Sequence, residues 1–123
     1  MRLSYITPYL FAAIVVILGA NIGLTEKLGA HPFWAVSIAW VGVPVGLVAA
    51  FVVKYLNWSW RVRSPAFLIF LAIAYGVAHF GKDRFVASFA EDALAGRMWY
   101  FGWIAVAATA TASVAAIFSP TKS

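Results

Sequence analysis

A chain of 123 residues that is 64% apolar and only 11% charged falls well short of the roughly one charged residue in four of an ordinary soluble domain. Cysteine is absent, which excludes disulfides, thiolate metal sites and a cysteine nucleophile. The net charge of +5 would suggest nucleic acid in a soluble protein, but cytoplasmic loops of membrane proteins also collect Lys and Arg, so no nucleic-acid partner is expected.

The first apolar run covers residues 6–24, after Arg2 and before Glu26 and Lys27. It is longer than a signal-peptide core and no small-x-small cleavage site closes it, so it is expected to remain as a span. The second run, 33–53, is opened by His31 and Pro32 and closed by Lys54. Pro44 sits in its middle between Gly42 and Gly46, where the lost backbone hydrogen bond is expected to kink the helix. After the 54–63 loop, Ser64 and Pro65 look like a cap with proline at the first helical position. They open a short third run, 65–81.

The next segment is strongly charged, and Phe85, Val86, Phe89, Ala90, Ala93 and Leu94 recur in it at helical spacing. This predicts an amphipathic interfacial helix over 84–95. The last run is 98–118, followed by a short polar tail. The expected architecture is therefore one all-α transmembrane domain over residues 1–123. It has four transmembrane helices, up-down-up-down, with the interfacial helix before the last.

Orientation follows from the cations. Arg2, Lys54, Arg61, Arg63 and Lys122 fall on one side with no acid, whereas Lys27, Lys82, Arg84 and Arg97 share the other with Glu26, Asp83, Glu91 and Asp92. The positive-inside rule puts the first side, and both termini, in the cytoplasm of a bacterial-type inner membrane. Trp58 and Trp60 would then mark the inner interface, and Trp34, Trp99 and Tyr100 the outer one. Trp40 and Trp103 fall deeper and are expected to face a neighbouring helix, a lipid or a bound apolar molecule.

Buried ionisable groups are where function is first sought in a membrane protein, and only His79, in the last turn of the third run, comes close. It is the candidate axial ligand for a haem or chlorophyll metal, set against an interfacial histidine bonded to headgroups, a loop carbonyl or nearby acids. The sequence itself names no cofactor. The stretch from Asp92 through Gly96 and Arg97 to Gly102 resembles the chlorophyll-binding helix motif of light-harvesting-like proteins. Ala95 stands where that family places a ligating Asn, however, and the acid lies outside the span, so no ligand carries over.

Trp58, Trp60, Arg61 and Arg63 form a candidate contact for anionic lipid headgroups, with topology alone as the simpler explanation. Small residues at four-residue spacing, Gly19 with Gly23, Gly42 with Gly46, and the stripe Ala105, Thr109 and Ser113, are candidate helix-packing positions. No phosphate loop, metal-ligand cluster or nucleophile–base pair can be assembled, and an enzyme is not expected.

The leading expectation is a non-catalytic accessory subunit of a larger membrane complex of respiratory or photosynthetic type. Its partners would be membrane lipids and other membrane subunits, with pigments or quinones against its aromatic surfaces. The alternative is a small homo-oligomeric transporter or flippase for a lipid-linked substrate, with Asn21, Thr109, Thr111 and Ser113 as its polar lining. In length and span count that reading is similar to the small multidrug-resistance transporters, but the membrane-embedded glutamate of their first span has no counterpart here.

Overall fold

The computed structural model describes residues 3–119, with side chains from residue 6 onward. Arg2 and Lys122, used above to orient the chain, lie outside the described residues, as do the two termini. Helices account for most of the rest: α1 (Leu3–Asn21), α2 (Leu24–Leu28), α3 (Ser37–Tyr55), α4 (Trp60–Ala87) and α5 (Ala93–Phe118). Three of them, α3, α4 and α5, are long and apolar enough to cross a membrane, and the Ile6–Asn21 part of α1 forms a shorter apolar helix.

The helix at the centre is α5, against which α4, α3 and α1 all pack, α4 most extensively. Its composition explains this. Gly102, Ala107, Ala108, Thr111, Ala112 and Ala116 are all buried in it, and side chains this small let neighbouring backbones approach closely, the main packing device where water supplies no hydrophobic drive.

The approach is tightest at glycine. A Cβ on Gly42 would lie 2.6 Å from the Ala107 Cβ and 2.8 Å from the Ile104 carbonyl oxygen. One on Gly46 would collide with the Ala108 carbonyl oxygen and Thr111. Facing α4, a Cβ on Gly102 would sit 2.8 Å from the Ala78 Cα, and one on Gly81 would sit 2.6 Å from the Trp99 nitrogen. These pairings give directions: α3 runs parallel to α5, and α4 runs antiparallel to it.

The boundaries depart from the sequence reading in physically informative ways. The start of α3 moves to Ser37, because the preceding residues form a turn in which Phe33 N–H donates to His31 Nδ1 at 3.0 Å. Although Pro44 lies inside α3, the helix is continuous around it. At the start of α4 the N-cap position is Ser59, and Pro65 lies within the helix. Ser64, expected as the cap, is buried with its hydroxyl unpartnered.

No separate interfacial helix forms over 84–95. Instead α4 continues past the charged Lys82, Asp83 and Arg84 to Ala87. The chain then turns through Phe89 and Ala90, which take φ values of 56° and 67°. Ser88 holds the turn, its hydroxyl donating to the Phe85 carbonyl and accepting from Asp92 N–H, both at 2.9 Å. Asp92 caps α5 by accepting from Ala95 N–H at 3.0 Å, the bond an N-cap aspartate supplies. The apolar periodicity is thus divided between the end of one helix and the start of the next.

Candidate functional site

The chemistry-bearing side chains gather at the two ends of α5. At the end shared with the α2–α3 connection, Gly29 and Ala30 N–H cap the Glu26 and Thr25 carbonyls of α2, and the last carbonyl, that of Leu28, is met by side chains instead, as helix C-termini require. Tyr75 and His79, one turn apart on α4, both reach the Leu28 carbonyl, the phenol at 3.1 Å and His79 Nε2 at 2.9 Å. A carbonyl can only accept and has two lone pairs, so Nε2 carries the ring proton and the two donors share one acceptor. Beside them, Trp99 Nε1 on α5 donates to the Gly29 carbonyl at 2.9 Å in a buried setting.

Ring contacts extend this lock. Trp34 meets Trp99 and Tyr100 edge-on with centroids 5.3 and 5.2 Å away, and His31 meets Trp99 at 5.4 Å. Such edge-to-face pairs each add about 0.5–1.5 kcal/mol beyond burial. Below them Tyr75 packs at 5.8 Å against Trp103, which is 1% exposed. Of the two deeper tryptophans, then, Trp103 faces neighbouring helices, whereas Trp40 is 60% exposed. Trp34 and Trp99 hold an interhelix cluster rather than serving only as interfacial anchors.

His79, the candidate axial ligand, is placed against the α2–α3 connection. Its Nε2 is committed to Leu28, and a Cβ on Gly29 would lie 3.1 Å from Cε1 and 3.2 Å from Nε2. The backbone at Gly29 therefore lies close against that side of the ring. His31 uses Nδ1 in its own turn. Among the described residues, no group of three or more His, Cys, Asp or Glu is placed to hold a metal ion.

At the opposite end, α4 begins where α5 stops. Trp60 Nε1 donates to the Ile117 carbonyl at 2.9 Å. The Arg63 guanidinium donates from Nε to Ala116 at 3.2 Å and from Nη2 to Ser119 at 3.1 Å. The cation also faces the negative end of the α5 dipole. Of the four residues read as a headgroup contact, Arg63 is turned inward, while Trp58, Trp60 and Arg61 are exposed, Trp60 with its indole N–H bonded to α5.

The packing candidates divide similarly. Gly42 and Gly46 are contact points on α5, and buried Ser113 lies within α5. Gly19 meets only Leu24, from its own segment, and Gly23 has nothing within 4 Å and a φ of 91°. That glycine serves the turn between α1 and α2 rather than a helix interface. Gly81 and Gly102 were not anticipated, and their signal lay in the run Ala74, Ala78, Gly81 on α4 opposite Ala95 and Gly102 on α5. Ala105 and Thr109 border a groove between α4 and α5.

Comparison with protein-family models, with curated proteins and with solved structures found no match.

Proposed function

We propose that this chain is a bacterial inner-membrane protein in which α1 makes a fourth crossing and both termini are cytoplasmic. Its role is that of a non-catalytic structural subunit of a larger membrane assembly of respiratory or photosynthetic type. The 19 residues of α1 amount to about 28 Å of helix, close to the roughly 30 Å hydrocarbon core. The directions of α3 and α4 along α5 fit the up-down-up-down order, and the end bearing Lys54, Arg61 and Arg63 carries no acid.

The observation that carries the functional reading is where the polar side chains go. Tyr75, His79, Trp99, Trp60 and Arg63 all reach backbone carbonyls of another segment, so they fix helices to one another. The residues offered as a transport lining bond back to their own helices. Asn21 donates to Ile17, Thr109 to Ala105, Thr111 to Ala107 and Ser113 to Thr109. Thr111 is also fully buried, at 0% exposure. These groups do not converge on a path, which favours the subunit over the transporter.

The test is solubilisation of native membranes in mild detergent, followed by size separation and mass spectrometry of the fraction holding this chain. Co-migration with a large heteromeric assembly is expected. A small particle made only of this chain would overturn the subunit reading in favour of the homo-oligomer.

A further inference from the structure

Between α4 and α5 runs an open groove of about 490 Å³, within the roughly 300–1,000 Å³ of small-molecule sites. Phe70, Ile73 and Val77 form its α4 wall, Phe101 lies on its α5 wall, Thr109 stands at one end and Arg97 at the other. The Thr109 hydroxyl donates to its own Ala105 carbonyl at 2.7 Å, so its proton is not offered to the groove. Everything between the two ends is apolar.

Arg97 breaks that pattern. The nearby acid Asp92 is taken up by Ala95 N–H and by Arg84, whose Nε lies 3.8 Å away. Among the described residues Arg97 makes no ion pair. From Arg97 to Thr109 the helix rises about 18 Å, close to the thickness of one leaflet's hydrocarbon, half of a roughly 30 Å core. A long apolar trough of one-leaflet length with a cation at its mouth is complementary to one kind of molecule.

We propose that this groove is a binding site for an anionic glycerophospholipid. One acyl chain lies between α4 and α5, and the phosphate-bearing headgroup is held by Arg97. The site depends on the chain being membrane-embedded and not on the subunit role: isolation as a single-chain particle would end the latter and leave the former standing. A neutral isoprenoid tail would fill the trough without using the cation, and a neighbouring protein helix would exclude lipid from it.

The test uses the full chain purified with equal amounts of dioleoylphosphatidylglycerol and dioleoylphosphatidylcholine, with retained lipid counted by native mass spectrometry. A phosphatidylglycerol carrying a photoreactive diazirine in its acyl chain then maps the contact. The wild type is expected to retain the anionic lipid about fivefold over the zwitterionic one, the effect of a single cation near the headgroup. Adducts should fall on residues 70–77 and 98–109. Arg97→Gln is expected to abolish the preference while leaving the adduct positions unchanged, and Ala105→Phe to reduce retention of both lipids. Equal retention of the two lipids by the wild type, or adducts spread over α1 and α3, would overturn the proposal without reference to either variant.

Discussion

Arg63 on α4 donates to the carbonyl of Ala116 on α5 at 3.2 Å while only 5% exposed. With the second bond, to Ser119, it pins the first turns of one helix to the last turn of another. Hydrogen bonds from charged donors contribute about 1.5–3 kcal/mol each, and a buried acceptor left empty adds its desolvation cost. Arg63→Ala is therefore expected to destabilise the protein by about 3 kcal/mol in detergent, followed by thermal unfolding of the helical signal. Arg63→Lys should recover only part of this, because an ammonium lacks the planar fork that reaches two carbonyls. An unchanged midpoint for Arg63→Ala would contradict the pinning role.

The shared carbonyl of Leu28 makes a sharper prediction. Tyr75→Phe and His79→Phe each leave that acceptor with one donor, so each single loss should cost less than about 1 kcal/mol. The double variant empties the carbonyl and should cost more than the sum, a coupling of about 1 kcal/mol. Trp99→Phe acts on a different carbonyl, that of Gly29, and should add to Tyr75→Phe without coupling. Strict additivity in the first cycle would show that the two donors do not share the acceptor.

Gly46 and Gly76 test the close packing against its own control. Both are glycines inside apolar helices, but a Cβ on Gly46 would strike α5, whereas one on Gly76 meets nothing within 4 Å. Gly46→Ala is expected to destabilise by about 2 kcal/mol through overpacking. Gly76→Ala should stabilise by roughly 0.5–1 kcal/mol through helix entropy. Equal responses would mean that α3 does not approach the α5 backbone.

These contrasts also mark what the sequence could convey. The helices α3, α4 and α5 were readable because apolar length and flanking charge state the cost of leaving each run in water. Their ends were not, because a helix continues wherever its backbone ladder is unopposed. Thus α4 passes through Lys82–Arg84 and stops only where Ser88 takes the Phe85 carbonyl. Gly19 with Gly23 and Gly42 with Gly46 are the same motif, yet only the second docks, since the motif grants close approach and does not supply a neighbour. Arg63 counted as a topology charge for the same reason: composition says which loop is basic, not which cation turns inward to a helix end.

The lack of cysteine makes the orientation directly measurable by single-cysteine labelling. Asn57→Cys lies in the α3–α4 loop and Glu91→Cys in the α4–α5 turn, and both positions are exposed. With a membrane-impermeant maleimide on intact cells, Glu91→Cys is expected to react from outside and Asn57→Cys only after the membrane is opened. The reverse pattern would invert the orientation, and labelling of both from outside would remove the crossing between them.

The size profile of membrane complexes with and without this chain reads out its proposed bracing of other membrane subunits. Native membranes from cells depleted of the chain should show one large assembly losing mass or dissociating into subcomplexes, with restoration by the wild type. If every assembly keeps its size and amount while the chain itself migrates as a homo-oligomer, the bracing role is wrong.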